Sequence, residues 1–171
     1  MTPRTTAAAL LLLVAAVPGR ATAQREGGRT EAGVMIGPTR YDLAGAGTGF
    51  SLHAGFSIPL SGRTVLLEPG LGILAYTTEF GNRSSWMFPE LTVQVQQRLG
   101  RVRPYLGAGI GTGTRGLSGA AHWKFTMMGL GGARVHVAGR WGVRGEIRLR
   151  SVDPWSGHTA DFNVGFTHSS F

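Results

Sequence analysis

The chain has 171 residues, enough for one domain, with 17 Lys plus Arg against nine Asp plus Glu and no cysteine. The missing cysteine excludes disulfide staples and thiolate metal centres. The basic balance would suit nucleic acid if the cations formed an outer patch, but the pattern below turns them inward.

The N-terminal stretch reads as a secretory signal. Arg4 gives a positive start, Ala7 to Val17 an apolar run, and Ala21-Thr22-Ala23 a small-residue cleavage site. That run is too short to cross a bilayer as a helix, and Pro18 and Gly19 break it. Cleavage between Ala23 and Gln24 gives a signal peptide (1–23), a short N-terminal extension (24–30) and a folded region (31–171). Losing Arg4 and Arg20 leaves fifteen bases (17 minus 2) against nine acids, a net charge of +6. No later apolar run could span lipid as a helix, so a membrane location requires a closed barrel.

From residue 31 the apolar pattern has period two, the repeat of strands with one greasy and one polar face. The first segment, roughly 31–41, is the least regular, with Val34 and Ile36 as its apolar face. In the second, Phe50, Leu52, Ala54, Phe56 and Ile58 oppose Ser51, His53, Gly55 and Ser57. The third, 64–78, sets Val65, Leu67, Leu71 and Ile73 against Glu68. The fourth, from Trp86, sets Met87, Leu91, Val93 and Val95 against Glu90, Thr92, Gln94, Gln96 and Arg98. The fifth, from Val102, sets Pro104, Leu106, Ala108 and Ile110 against Arg103, Tyr105 and three glycines. In the sixth, Trp123, Phe125, Met127, Ala133, Val135 and Val137 oppose Lys124, Thr126, Arg134 and His136. The seventh, from Trp141, sets Val143, Ile147 and Leu149 against Arg144, Glu146, Arg148 and Arg150. The eighth, 159–168, carries Phe162, Val164 and Phe166.

Three connections are short and share Gly-Arg, at Ser61-Gly62-Arg63, Leu99-Gly100-Arg101 and Ala138-Gly139-Arg140. Glycine supplies the positive φ that tight hairpins need. The other four, about 42–48, 79–85, 116–121 and 152–158, are longer and polar. Short turns on one side and long loops on the other are the pattern of outer-membrane barrels, whose short turns are periplasmic. The expected fold is therefore all-β: an eight-stranded antiparallel up-and-down transmembrane β-barrel after a cleaved signal peptide, with both termini in the periplasm. Tyr76, Trp86 and Trp123 flank long loops and Trp141 follows a short turn, where an interfacial aromatic girdle would place them.

The stretch Arg103-Pro104-Tyr105-Leu106-Gly107-Ala108-Gly109-Ile110-Gly111 resembles a strand of small OmpA-like outer-membrane β-barrel domains, and Glu68-Pro69-Gly70-Leu71-Gly72 echoes it. The resemblance implies a barrel inserted by the outer-membrane assembly machinery, with Phe171 as the C-terminal aromatic assembly signal. Phe162, Val164 and Phe166 are out of phase with Phe171, which a bulge near His168 would correct.

The inward polar set holds Glu68, Glu90 and Glu146 with Arg98, Arg103, Lys124, Arg134, Arg144 and Arg148. In so narrow a barrel these are expected to form an ion-pair network that fills the lumen. Gly111-Thr112-Gly113-Thr114-Arg115-Gly116 matches G-x-G-x-x-G but leads to another strand, where a nucleotide site needs a helix. Small barrels that deacylate lipid A resemble this architecture and use His-x-Ser with a downstream Glu. His168-Ser169-Ser170 offers the first part, and no acid follows. The expected function is a non-enzymatic structural or surface-interaction barrel with no cofactor and no catalytic or metal site. Its expected partners are outer-membrane lipid, lipopolysaccharide and the assembly machinery, but not nucleic acid, and the sequence names no ligand for the loops. A small-solute pore, the lipid A enzyme and a soluble lipocalin-like binder are the alternatives.

Overall fold

The computed structural model describes residues 30–43, 46–61, 64–77, 81, 83–115, 123–153 and 156–169. The expected cleavage site at Ala23 and Gln24 and the C-terminal Phe171 lie outside them. Eight strands occupy that range: β1 (Glu31–Asp42), β2 (Ala46–Ser61), β3 (Val65–Thr77), β4 (Arg83–Gln96), β5 (Val102–Arg115), β6 (Lys124–Ala138), β7 (Trp141–Val152) and β8 (Gly157–Ser169). Each pairs antiparallel with its sequence neighbours, and β8 pairs with β1, so the sheet closes into a barrel.

The strands are strongly staggered. Opposite residues followed from Glu31 through Ser57, Glu68, Thr92, Gly109, Met128, Arg150 and Thr159 lead back to β1 at Tyr41, ten positions further along. Eight tilted strands leave an interior just wide enough for side chains to fill.

Alternation then sorts the residues into two solvents. Phe50, Phe56, Val164 and Phe166 point outward and are each more than half exposed, while His53, Glu68, Gln94 and Arg148 point inward and are buried. Greasy outside and charged inside is the order that lipid demands. The belt ends near connections 43–45, 78–82, 116–123 and 153–156, where outward positions become Arg40, Asp42, Thr48, Arg83 and His158. This is the loop end. The turn end carries connections 62–64, 97–101 and 139–140, together with Glu31 and Ser169 at the strand termini.

Two expectations need correction. The reading of long loops at 42–48, 79–85 and 152–158 is too generous, because β1 runs to Asp42, β2 starts at Ala46, β4 starts at Arg83 and β7 runs to Val152. Paired strands satisfy their own backbone groups above the lipid as well as within it. Strands of 12 to 16 residues exceed the roughly 9–11 that span the hydrocarbon, so their ends stand clear of it. Only 116–123 is longer than every turn-end connection. The second correction concerns the bulge near His168. The β7–β8 ladder runs from Trp141 opposite His168 to Val152 opposite Gly157 without a register shift. At the turns, Gly100 and Gly139 do adopt positive φ, 63° and 57°.

The belt gives a test. Leu91 lies within the belt on β4 and is exposed to lipid. Leu91→Arg is expected to cost about 2–4 kcal/mol in urea unfolding from lipid vesicles, as for cations near a bilayer midplane. Thr48→Arg, outward but beyond the belt, is expected to change stability by no more than about 0.5 kcal/mol.

Candidate functional site

β7 supplies the spine of the interior. Its inward positions 144, 146, 148 and 150 hold Arg, Glu, Arg and Arg, each at most 4 % exposed. Five other strands add Glu31, Glu68, Glu90, Arg134 and Asp161. The nine form an unbroken ladder of alternating sign. From the turn end, Glu31 faces Arg134 (3.5 Å), Arg134 meets Glu68 (3.2 Å), and Glu68 meets Arg144 (2.6 Å). Arg144 then meets Glu146 (2.5 Å) and Glu146 meets Arg148 (2.8 Å). Arg148 pairs with Glu90, Glu90 with Arg150, and Arg150 with Asp161.

Neutral groups take up further valences. Arg144 holds Glu68 with two nitrogens (2.6 and 2.9 Å) and donates from Nε to Tyr105 Oη (2.6 Å). Tyr105 in turn donates to Glu146 (2.8 Å). Arg134 donates to Gln94 (2.7 Å), Gln96 (3.1 Å) and Ser57 (3.0 Å). His53 Nε2 accepts from Arg148 (2.8 Å), and Thr39 donates to Asp161 (2.9 Å). Glycine makes the room: a Cβ at Gly72 would stand 2.8 Å from Arg150 Nη2, and one at Gly113 would stand 2.7 Å from the Phe88 ring.

Toward the loop end the filling becomes apolar. Tyr41, Leu74, Tyr76, Trp86, Phe88 and Val152 form a buried cluster. The Tyr41 and Tyr76 rings lie 4.4 Å apart, and Trp86 stacks on Phe88 at 5.8 Å. Trp86 Nε1 donates to Tyr76 Oη (3.3 Å). The Arg150 guanidinium lies 5.0 Å over the Phe88 ring and joins the ladder to this cap.

The sequence-predicted residues separate into those the ladder gathers and those it does not. Glu68, Glu90, Arg134, Arg144, Glu146 and Arg148 stand in it. Lys124 does not: it pairs with Asp153 (3.1 Å) on the exposed loop-end rim. Arg98 lies beyond the last residue of β4 and is exposed, and Arg103 is half-buried at the turn-end mouth. Tyr76 and Trp86 are corrected too, because both point inward and are buried, whereas Trp123 and Trp141 point outward. Sequence reasoning missed Glu31, Asp161 and Arg150 as ladder members. Arg150 shares the face of Arg144, Glu146 and Arg148, so alternation alone could have found it. The G-x-G-x-x-G motif runs along β5 as far as Arg115, with Gly113 beneath Phe88, and opens no helix there.

A closed antiparallel barrel with a greasy belt and a charged, filled interior defines a membrane-spanning β-barrel. A family model for the outer membrane protein beta-barrel domain matches residues 7–168, and the chain belongs to that family. It is a small eight-stranded barrel of the bacterial outer membrane. Among solved structures it is similar to Neisserial surface protein A (12 % identity, TM-score 0.68, covering 81 % of this chain and 96 % of that one). It is also similar to Ail, the attachment invasion locus protein of Yersinia pestis (10 %, 0.57, 85 % and 100 %). The N-terminal barrel domain of Pseudomonas aeruginosa OprF is a third (13 %, 0.54, 80 % and 96 %). At these identities the likeness is one of fold. No curated protein sequence matches.

Two measurements test the interior. Glu146→Gln leaves Arg144 and Arg148 short of a counter-charge and is expected to cost about 3–5 kcal/mol in urea unfolding. Lys124→Met, at the exposed pair, is expected to cost less than about 1 kcal/mol. In vesicles of bromine-labelled lipid, a variant keeping only Trp86 should retain its fluorescence. Variants keeping only Trp123 or only Trp141 should be quenched. Equal quenching of all three would place Trp86 against lipid and overturn the inward assignment.

Proposed function

We propose that this protein is a non-enzymatic, non-conducting barrel whose role is structural or is carried by its loop-end surface. The filled interior supports this reading most directly. Arg148, at mid-ladder, has no solvent exposure, and ionic levels give way to an aromatic cap with which Arg150 is in contact. Opening a water-sized path would separate buried ion pairs, and breaking even one is strongly unfavourable.

The turn end is read as periplasmic, because an even number of strands returns both chain ends to the side from which an exported chain arrives. The loop end then faces the exterior, with Arg40 and Arg83 at the edge of the belt, where they suit the phosphates of lipopolysaccharide. Outer-membrane lipid and the assembly machinery are the other partners this reading implies. It also disfavours lipid A chemistry at His168-Ser169. His168 lies against Trp141 (4.8 Å) at the turn end, and the Ser169 amide donates to Arg140 O (2.9 Å). That is the end away from the outer leaflet.

In planar bilayers the folded protein is expected to give no steady unit conductance. Reproducible channels from folded monomer, with ion selectivity altered by Glu146→Gln, would establish the pore reading instead. Orientation is read separately, since the chain has no cysteine of its own. On intact cells an impermeant maleimide should label Ser156→Cys, and should label Gln97→Cys only after permeabilisation.

A further inference from the structure

We propose that the turn-end mouth is a binding site for a small phosphate-bearing anion. A cavity of about 280 Å³ opens there, and its lining includes Arg98, Arg101, Arg103, Arg134, His136 and Glu31. Four guanidiniums thus face one carboxylate. That space holds several waters, enough for a phosphate or diphosphate group.

The ladder neutralises Arg134 but cannot neutralise Arg98, Arg101 and Arg103. Glu68 is already engaged by Arg134 and Arg144, Glu146 by Arg144 and Arg148, and Glu90 by Arg148 and Arg150. Glu31, the acid in the lining, is turned to Arg134.

Arg134 differs from the other three lining guanidiniums because the ladder already holds it. Arg134 is 4 % exposed and spends its terminal nitrogens on Gln94, Gln96, Ser57 and Glu68. Its Nε is buried and turned to Glu31 Oε1, which is buried too and lies 3.5 Å away, an ion pair longer than a hydrogen bond. Both residues line the cavity and pair with each other, which leaves Arg98, Arg101 and Arg103 as the lining cations that no carboxylate faces among the described residues. Planar guanidiniums match tetrahedral phosphate oxygens in paired hydrogen bonds, which makes Arg the usual side chain for this group.

The phosphate can come from a soluble ester or from the headgroup of an anionic phospholipid in the leaflet at that end. The test uses the full chain folded in phosphatidylcholine nanodiscs and titrated calorimetrically with inorganic pyrophosphate at physiological salt. Saturable binding of one pyrophosphate per barrel is expected. Arg103→Gln and Arg98→Gln should each weaken it tenfold or more, and Lys124→Gln, at the far end, should leave it unchanged. These side chains lie outside the ladder, and heat-modifiable gel mobility confirms that each variant is folded. Repeating the titration in phosphatidylglycerol nanodiscs separates the sources. Binding weakened tenfold or more there assigns the site to a lipid headgroup, and unchanged binding assigns it to a soluble phosphate. Absence of binding in phosphatidylcholine, or equal weakening by Lys124→Gln and Arg103→Gln, overturns the proposal. Neither result bears on conductance, so the non-conducting reading stands or falls separately.

Discussion

Hydrocarbon offers a peptide group nothing to bond to, and every other feature of this molecule answers to that fact. A flat sheet would leave two edges unsatisfied in lipid, so β8 must find β1. Closure with eight strands fixes a bore about as wide as the side chains that line it. The outer face can then be almost any greasy residue, as the mixture of Val, Leu, Phe, Met and Ile there shows. The inner face has no such freedom, because whatever points inward must be filled, paired and shaped to its neighbours.

The ladder meets that demand. Buried charges are costly to strip of water, and an alternating column gives most of them counter-charges on both sides. Arg148 illustrates the geometry: it stands on β7 and reaches Glu146 on its own strand, Glu90 on β4 and His53 on β2. Such contacts run across the bore where the backbone ladder runs around it. The two systems cross, and together they fix the register of strands that a greasy exterior alone would hold loosely.

Much of this was legible in the sequence, because period two leaves a direct imprint on composition. The phase of Phe50 to Ile58, or of Trp141 to Arg150, assigns each side chain to lipid or lumen without further information. The errors arose where position along the strand was weighed above phase. Trp86 shares its parity with Glu90 and Gln94, and Tyr76 shares its parity with Glu68, so alternation would have sent both inward. Nearness to a loop suggested a girdle instead. Other features were hidden for a physical reason. Which cations are paired depends on strand stagger, and stagger accumulates from hairpin to hairpin until β8 meets β1, which no single segment reveals. Lys124 has inward phase but emerges at the rim beside Asp153, and Arg98 lies past the end of its strand. Asp161 belongs to the ladder only because β8 lies against β7 with Arg148 directly opposite it and Arg150 two residues along.

The position of the spine on β7 has a consequence for biogenesis. An incomplete sheet carrying β7 alone would bring three guanidiniums and a carboxylate toward the membrane while their companions on β2, β3, β4 and β8 were still elsewhere. Desolvating that strand is affordable only once the early and late segments have curled toward one another. Insertion must therefore be nearly all-or-none, with the seam between first and last strands closing as the charges leave water. A chain truncated before β8 would lack both the seam and Asp161, and a quality-control protease should meet it as a soluble intermediate rather than as a smaller barrel.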